Sequence, residues 1–134
     1  MFEIKDLAKT LGAFKLGPIN LSLTKEDYCV ILGPSGSGKS QLLYLMAGLS
    51  KADDGVITLW GKELSTPGDY ICKIGMLFQQ YALFPHMTVQ ENIFYGLKAQ
   101  KRFSKRSKQL ATTWMGELGI THLKDRHIHG LSGG

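Results

Sequence analysis

Cysteine and proline are scarce in this chain of 134 residues, which holds two of the first and four of the second. Cys29 and Cys72 stand far apart with no CxxC spacing. That excludes a disulfide framework and a thiolate metal site, and two isolated thiols are expected. No run approaches the ~18 apolar residues that a membrane span needs. The N-terminus, Met1-Phe2-Glu3-Ile4-Lys5-Asp6, alternates apolar and charged residues. It lacks the apolar core of about 7–15 residues that marks a signal peptide. A cytosolic protein is expected from these absences. Repeats and low-complexity segments are missing too. With 43% hydrophobic and 20% charged residues the usage is globular rather than disordered. The length suits one domain, enough to bury roughly two-thirds of its unfolded surface.

Acidic residues are absent between Glu91 and Glu117, where Lys98, Lys101, Arg102, Lys105, Arg106 and Lys108 fall. Those six account for the whole formal charge of +5, since the remaining ten basic residues face eleven acidic ones. Such a stripe attracts nucleic acid, anionic lipid or an acidic partner, or simply forms a solvated helix face. Only Phe103 interrupts it as a base-stacking candidate. His122, His127 and His129 cluster near the end, but their spacing is loose and Asp125 is the only acid nearby. Surface histidines are the expectation there, not a metal centre.

Residues 2–5 and the alternating Ile19-Asn20-Leu21-Ser22-Leu23 read as strands. Tyr28-Cys29-Val30-Ile31-Leu32 is continuously apolar and predicts a strand buried on both faces. Residues 42–49 predict an almost wholly apolar, buried helix ending near Gly48 and Ser50. Residues 55–60 and 74–78 are further strands, with a turn at Gly61. After residue 80 the pattern turns helical. Thr88-Val89-Gln90-Glu91 is a capping box. Ser104 opens a helix on which Leu110, Trp114 and Leu118 recur every four residues, and Gly119 suits its C-terminal end. Thr121 opens one more turn. The order predicts an α/β core with a helical appendage.

The most specific string is Gly33-Pro34-Ser35-Gly36-Ser37-Gly38-Lys39-Ser40, which fits G-x-x-x-x-G-K-[ST]. Glycines let several backbone N–H groups approach phosphate oxygens without an intervening Cβ. The helix N-terminus that follows adds partial positive charge. Lys39 offers a point charge to the β and γ phosphates, and the Ser40 hydroxyl can ligate Mg²⁺. By chance such a string arises in on the order of one chain in a hundred of this length. A buried strand before it and an apolar helix after it, both read from other residues, make nucleoside triphosphate binding the strong expectation.

Residues 77–89, Leu-Phe-Gln-Gln-Tyr-Ala-Leu-Phe-Pro-His-Met-Thr-Val, resemble the Q-loop region of ABC transporter ATPases, especially those of solute importers. Leu131-Ser132-Gly133-Gly134 forms the first four residues of that family's LSGGQ signature. Phosphate loop, Q-loop and signature occur in the family's order and spacing, and the resemblance covers the chain from residue 1 to 134. A finer resemblance, to molybdate/tungstate importer ATPases, lies in residues 14–16, 30–34 and 122–126.

The resemblance implies an α/β P-loop NTPase core of the ABC type with an antiparallel β element and a helical subdomain. The core would span residues 1–80, and residues 81–134 would hold the Q-loop and helical part as far as the signature. It implies ATP and Mg²⁺ as cofactors, with Gly33 to Ser40 and Gln41 on the triphosphate. Gln79 would touch Mg²⁺ or the attacking water and report to the membrane partner. Leu131, Ser132, Gly133 and Gly134 would belong to the signature, with Ser132 and Gly134 on the γ-phosphate held by the opposite subunit of a head-to-tail homodimer. The adenine-stacking aromatic lies ahead of the second strand in the family; Leu11 takes one candidate place and Phe14 is the nearest aromatic. Partners would be a transmembrane permease and, indirectly, an extracytoplasmic solute-binding protein, with no nucleic acid. The implied location is the cytoplasmic face of the membrane.

The chain stops inside the signature, and neither a Walker B strand with its catalytic carboxylate nor a switch histidine can be found upstream. Glu26-Asp27 and Asp53-Asp54 do not end apolar strands, and the strand at 74–78 ends in Gln79, which cannot act as a general base. An N-terminal piece of a longer ATPase is therefore expected, inactive alone. A nucleotide-binding module without turnover and a soluble ABC ATPase with no permease stay open beside the importer subunit.

Overall fold

A computed structural model describes residues 1–70, 73–80, 82–129 and 131. Cys72, Tyr81, Ser132, Gly133 and Gly134, singled out above, lie outside the described residues. The chain divides into two units, Met1–Met76 and Leu77–Gly134.

The first unit carries an antiparallel sheet of order β2-β1-β3-β4, from β1 (Phe2–Leu11), β2 (Phe14–Leu23), β3 (Asp54–Leu59) and β4 (Lys62–Glu63). Both expected N-terminal strands are present and longer than their hydrophobic alternation suggested. β1 runs from Phe2↔Leu23 to Leu11↔Phe14 against β2, and from Phe2↔Leu59 to Ala8↔Asp54 against β3. Both ladders slip beside Asp6, whose φ is 50°. A bulge adds one residue to the strand. As a result Ile4 and Leu7, three apart, are both buried, whereas a regular strand would send them to opposite faces. Asn20 secures the bulge: its Oδ1 accepts from the Asp6 N–H at 2.8 Å and its amide donates to Asp6 Oδ1 at 3.0 Å.

Ile4, Leu7, Leu16 and Ile57 from the sheet pack with Leu64 and with Leu42 and Leu45 of helix α1 (Lys39–Met46). Only one side of α1 is covered, because Leu43 stays exposed, as does Leu49 just beyond the helix end. The fully buried apolar helix expected from residues 42–49 is thus corrected to a half-covered one. The loop leaving α1 is tied back to β1, where Lys9 Nζ donates to Asp53 Oδ1 at 2.7 Å and the Thr10 N–H to Asp53 Oδ2 at 2.7 Å. These bonds, the Lys9 one foremost, hold the Asp53 carboxyl below its usual range. A short helix, α2 (Pro67–Tyr70), follows β4.

Two expected strands are not formed. Residues 28–32 and 74–78 adopt no ladder among the described residues. Tyr28 is 94% exposed, Leu32 86% and Leu77 88%. Ile31 and Ile74 do pack on the core, so one side of each segment is covered and the other is not. Apolar runs supply the tendency to extend, but a strand exists only where a neighbour takes its N–H and C=O groups. The α/β class holds, with strands and helices in one chain, but the sheet of the described residues is antiparallel throughout.

The second unit holds α3 (Val89–Ala99), α4 (Lys105–Glu117) and a 3₁₀ turn at Thr121–Leu123. The capping box at Thr88 is as expected: its Oγ1 accepts from the Glu91 N–H at 3.2 Å, while Glu91 Oε2 accepts from the Thr88 N–H at 2.8 Å. Val89 and Gln90 N–H groups instead donate to the carbonyls of Arg126 and Lys124, at 2.9 and 3.0 Å. Four-residue spacing located α4 but not its buried face. Ala111 and Met115 are buried, while Leu110, Trp114 and Leu118 are exposed. Phe103 is engaged locally, edge-on to Phe94 at 5.5 Å and with Lys98 Nζ 5.6 Å from its ring centroid.

Gly55 crosses β1 at the bulge. A Cβ there would lie 2.5 Å from the Asp6 carbonyl carbon and oxygen and from Leu7 Cα, at a φ of +85°. We expect Gly55→Ala to cost about 2–5 kcal/mol, strain and overpacking combined. Gly12→Ala, at φ +60° but facing open space, should cost about 1–2 kcal/mol. Urea unfolding midpoints decide; equal losses would refute the crossing argument. The Glu91 carboxyl is held below its usual 4.5, first by the Thr88 backbone N–H and then by the Thr88 hydroxyl. Its contribution to α3 is therefore present above that value and lost as pH falls through the lowered one. An NMR titration of the Thr88 amide should show this acid step, and Glu91→Gln should abolish it.

Candidate nucleotide site

The loop at Gly33 to Gly38 lies between residues 28–32 and α1. Its turn is closed by the Ser37 N–H on the Pro34 carbonyl at 3.3 Å, and the Leu42 N–H on the Gly38 carbonyl at 2.8 Å starts the helix. Gly38 caps α1 in the left-handed region, φ 90°, with no side chain capping the helix. Early helix N–H groups lack partners within a helix, so an uncapped start presents them to whatever binds there. No acidic residue occupies the first turn of α1 to compete for them.

Lys39 leans back across the loop. Its Nζ donates to the Gly33 carbonyl at 2.8 Å and the Pro34 carbonyl at 2.7 Å, with Ser37 Oγ at 3.5 Å. Two carbonyls cannot neutralise an ammonium, so the loop keeps a positive charge fixed at its mouth. Pro34, Ser35, Gly36, Ser37 and Ser40 are exposed around it. An anion with several oxygens is the ligand such a cradle stabilises. The Gln41 carboxamide donates to Ser50 Oγ at 2.9 Å.

Phe14 joins the loop from β2. A Cβ on Gly38 would lie 2.8 Å from Phe14 Cζ and 2.9 Å from Leu16 Cδ1. Leu16 was not expected here; residues two apart on a strand share a face, and that signal could have paired it with Phe14. Leu11 stays exposed at the end of β1. The first unit therefore gathers Phe14, the loop residues Gly33 to Ser40, and Gln41. Gln79, exposed, and Leu131, half-buried, belong to the second unit.

Asp27, Asp53 and Asp54 of the acidic pairs are used structurally. Asp27 Oδ2 accepts from the Thr24 N–H at 2.6 Å, Asp53 holds Lys9, and Asp54 Oδ1 accepts from the Gly55 N–H at 2.8 Å. We expect Gly38→Ala to lower inorganic pyrophosphate affinity by about tenfold or more, through φ strain and the push against Phe14. Adding Phe14→Ala should relieve part of that loss in calorimetric titrations. Unchanged affinity in Gly38→Ala would contradict the packing described.

Comparison with known proteins places this geometry. The ABC transporter family model matches residues 16–134. The sulfate/thiosulfate import ATP-binding protein CysA of Halalkalibacterium halodurans is 40% identical over 98% of this chain and 38% of its own length. The putrescine transport ATP-binding protein PotG of Escherichia coli is 39% identical over 100% of this chain and 36% of its own. The molybdate/tungstate import ATP-binding protein WtpC of Pyrococcus abyssi is 37% identical over 100% and 39%. The chain thus spans less than half the length of these relatives. Among solved structures, the dimeric post-hydrolysis state of the ATP-binding cassette MJ0796 bound to ADP and Pi superposes with a TM-score of 0.83 at 26% identity, covering 99% of this chain and 64% of that one. With the family model spanning the phosphate loop, the Gln79 segment and the signature start, the chain belongs to the ABC transporter family.

Proposed function

We propose that the chain is the ATP-binding part of the ATPase subunit of an ABC importer, coupling ATP binding and hydrolysis to solute uptake. The observation that carries this reading is the Lys39-braced loop, uncapped at the start of α1, in a chain similar to import ATP-binding proteins over nearly all its length. Backbone N–H groups of the loop and Lys39 hold the triphosphate, and Phe14, beside Gly38, is the nearest aromatic side chain to it. The Ser40 hydroxyl and the Gln79 carboxamide would each offer a neutral oxygen to Mg²⁺, a hard cation that takes such oxygens alongside phosphate. When bound, Mg²⁺ neutralises charge developing on the phosphoryl oxygens.

In the whole protein, two copies would sandwich nucleotide head to tail, with Ser132 and Gly134 of each reaching the other's γ-phosphate. That arrangement is supported by the dimeric MJ0796 cassette. A permease would dock on the helical unit, where the exposed Leu110, Trp114 and Leu118 form an apolar stripe of the kind that marks contact surfaces. Such a subunit sits on the cytoplasmic face of the membrane and serves a solute-binding protein on the other side. An oxyanion such as molybdate or tungstate is the finer reading. Relatives named for sulfate/thiosulfate and molybdate/tungstate support it, and the one named for putrescine weighs against it.

A second reading, binding without turnover, describes the 134 residues by themselves. It rests on the engagement of Asp27, Asp53 and Asp54 in local bonds, which leaves none of them placed as a general base. Disrupting the gene in its source cell should abolish uptake of one solute from a panel of molybdate, tungstate, sulfate and putrescine. The parent gene should restore it and Lys39→Ala should not. Unchanged uptake of all four, or restoration by Lys39→Ala, would overturn the importer reading.

A further inference from the structure

One side chain fastens the segment that follows Gln79 onto α3. Asn92 Oδ1 accepts from the Phe84 N–H at 2.8 Å. Asn92 Nδ2 donates to the Phe84 carbonyl at 3.1 Å, to the Thr88 carbonyl at 3.0 Å and, more weakly, to the Met87 carbonyl at 3.4 Å. Both backbone groups of Phe84 therefore bond to one carboxamide eight residues on. Asparagine suits this because it supplies donors and an acceptor together; aspartate supplies only acceptors and alanine neither. The Phe84 ring rests 4.3 Å from that of Tyr95, which lies three residues after Asn92 on the same helix face.

The start of α3 has supports of its own beside the Asn92 bond to the Thr88 carbonyl. Thr88 and Glu91 cap each other, and the Val89 and Gln90 N–H groups are taken by the carbonyls of Arg126 and Lys124. Removing the carboxamide thus frees Phe84 while leaving the helix start intact. On the nearer side the Ala82 N–H bonds the Gln80 carbonyl.

We propose that Asn92 is a positioning residue for Gln79: it pins the far end of the segment at Phe84, so that only residues 79–83 set where Gln79 reaches. This rests on the role given to Gln79 above. Affinity for ATP without Mg²⁺ belongs to the phosphate loop of the first unit and is independent of the pin, whereas the gain that Mg²⁺ brings passes through Gln79.

The test uses the 134-residue chain with Asn92→Ala and Asn92→Asp, read by amide hydrogen exchange and by calorimetry of ATP with and without Mg²⁺. In Asn92→Ala the Phe84 amide loses about tenfold in protection, the worth of one net hydrogen bond. Val89, Gln90, Leu118 and Ile120 amides hold theirs. Asn92→Asp keeps the acceptor for Phe84, so its Phe84 amide stays better protected than in the alanine variant. That protection rises further when the carboxyl is protonated and regains a donor. Unchanged Phe84 protection in Asn92→Ala overturns the proposal, and so does an equal loss across α4. If the alanine variant does not fold, the pH dependence of Asn92→Asp decides, and its absence overturns the proposal. Affinity for ATP without Mg²⁺ should match the parent in both variants, and the gain on adding Mg²⁺ should fall in Asn92→Ala; an undiminished Mg²⁺ gain in that variant overturns the proposal, and so does a loss of Mg²⁺-free affinity. Failure of the parent itself to bind Mg-ATP would remove the nucleotide reading, while the exchange result still decides the pin.

Discussion

The bulge at Asp6 is the constraint on which the first unit depends. One extra residue in β1 turns Ile4 and Leu7 into the same core. Asn20 holds it from β2, Gly55 crosses it from β3, and three residues on, Lys9 ties down the loop that leaves α1. Leu42 and Leu45 then seat α1 on the surface so created. With the helix seated, its N-terminus and the loop ahead of it have a fixed place. The position of the phosphate cradle is therefore set by packing in the sheet, some distance along the chain from the glycines that form it.

Within that frame Lys39 does the electrostatic work. Its carbonyl contacts brace the loop before any ligand arrives, so binding need not first order the chain. Phe14 and Leu16 close on Gly38 from β2, which makes the loop rigid on one side and open on the other. In the second unit the same economy recurs. The first turn of α3 satisfies its amides from Thr88, Arg126 and Lys124, and its Asn92 side chain holds the segment behind Gln79.

Much of this was legible in the residues. The glycine turn ahead of α1, the capping box at Thr88, the turn at Gly119 and the helix after Ser104 depend on local chemistry, and local chemistry is written in adjacent positions. The segments at 28–32 and 74–78 were misread because their apolar character reports a wish for burial, while strand formation requires a neighbouring ladder. Periodicity at Leu110, Trp114 and Leu118 gives the helix, but Ala111 and Met115 show that the covered face is chosen by tertiary contacts. Leu16 beside Gly38, and the engagement of Gln41 with Ser50, depend on side chains meeting across elements, which spacing alone does not reveal.

The central claim is that a pre-braced cradle at Gly33 to Ser40 takes a nucleoside triphosphate. The most direct measurement is calorimetric titration of the chain with Mg-ATP, alongside Lys39→Ala. The account predicts one nucleotide per chain and a loss of affinity of about tenfold or more in the variant, from removing a charge-assisted contact. No binding by the parent, or equal binding by Lys39→Ala, would contradict it.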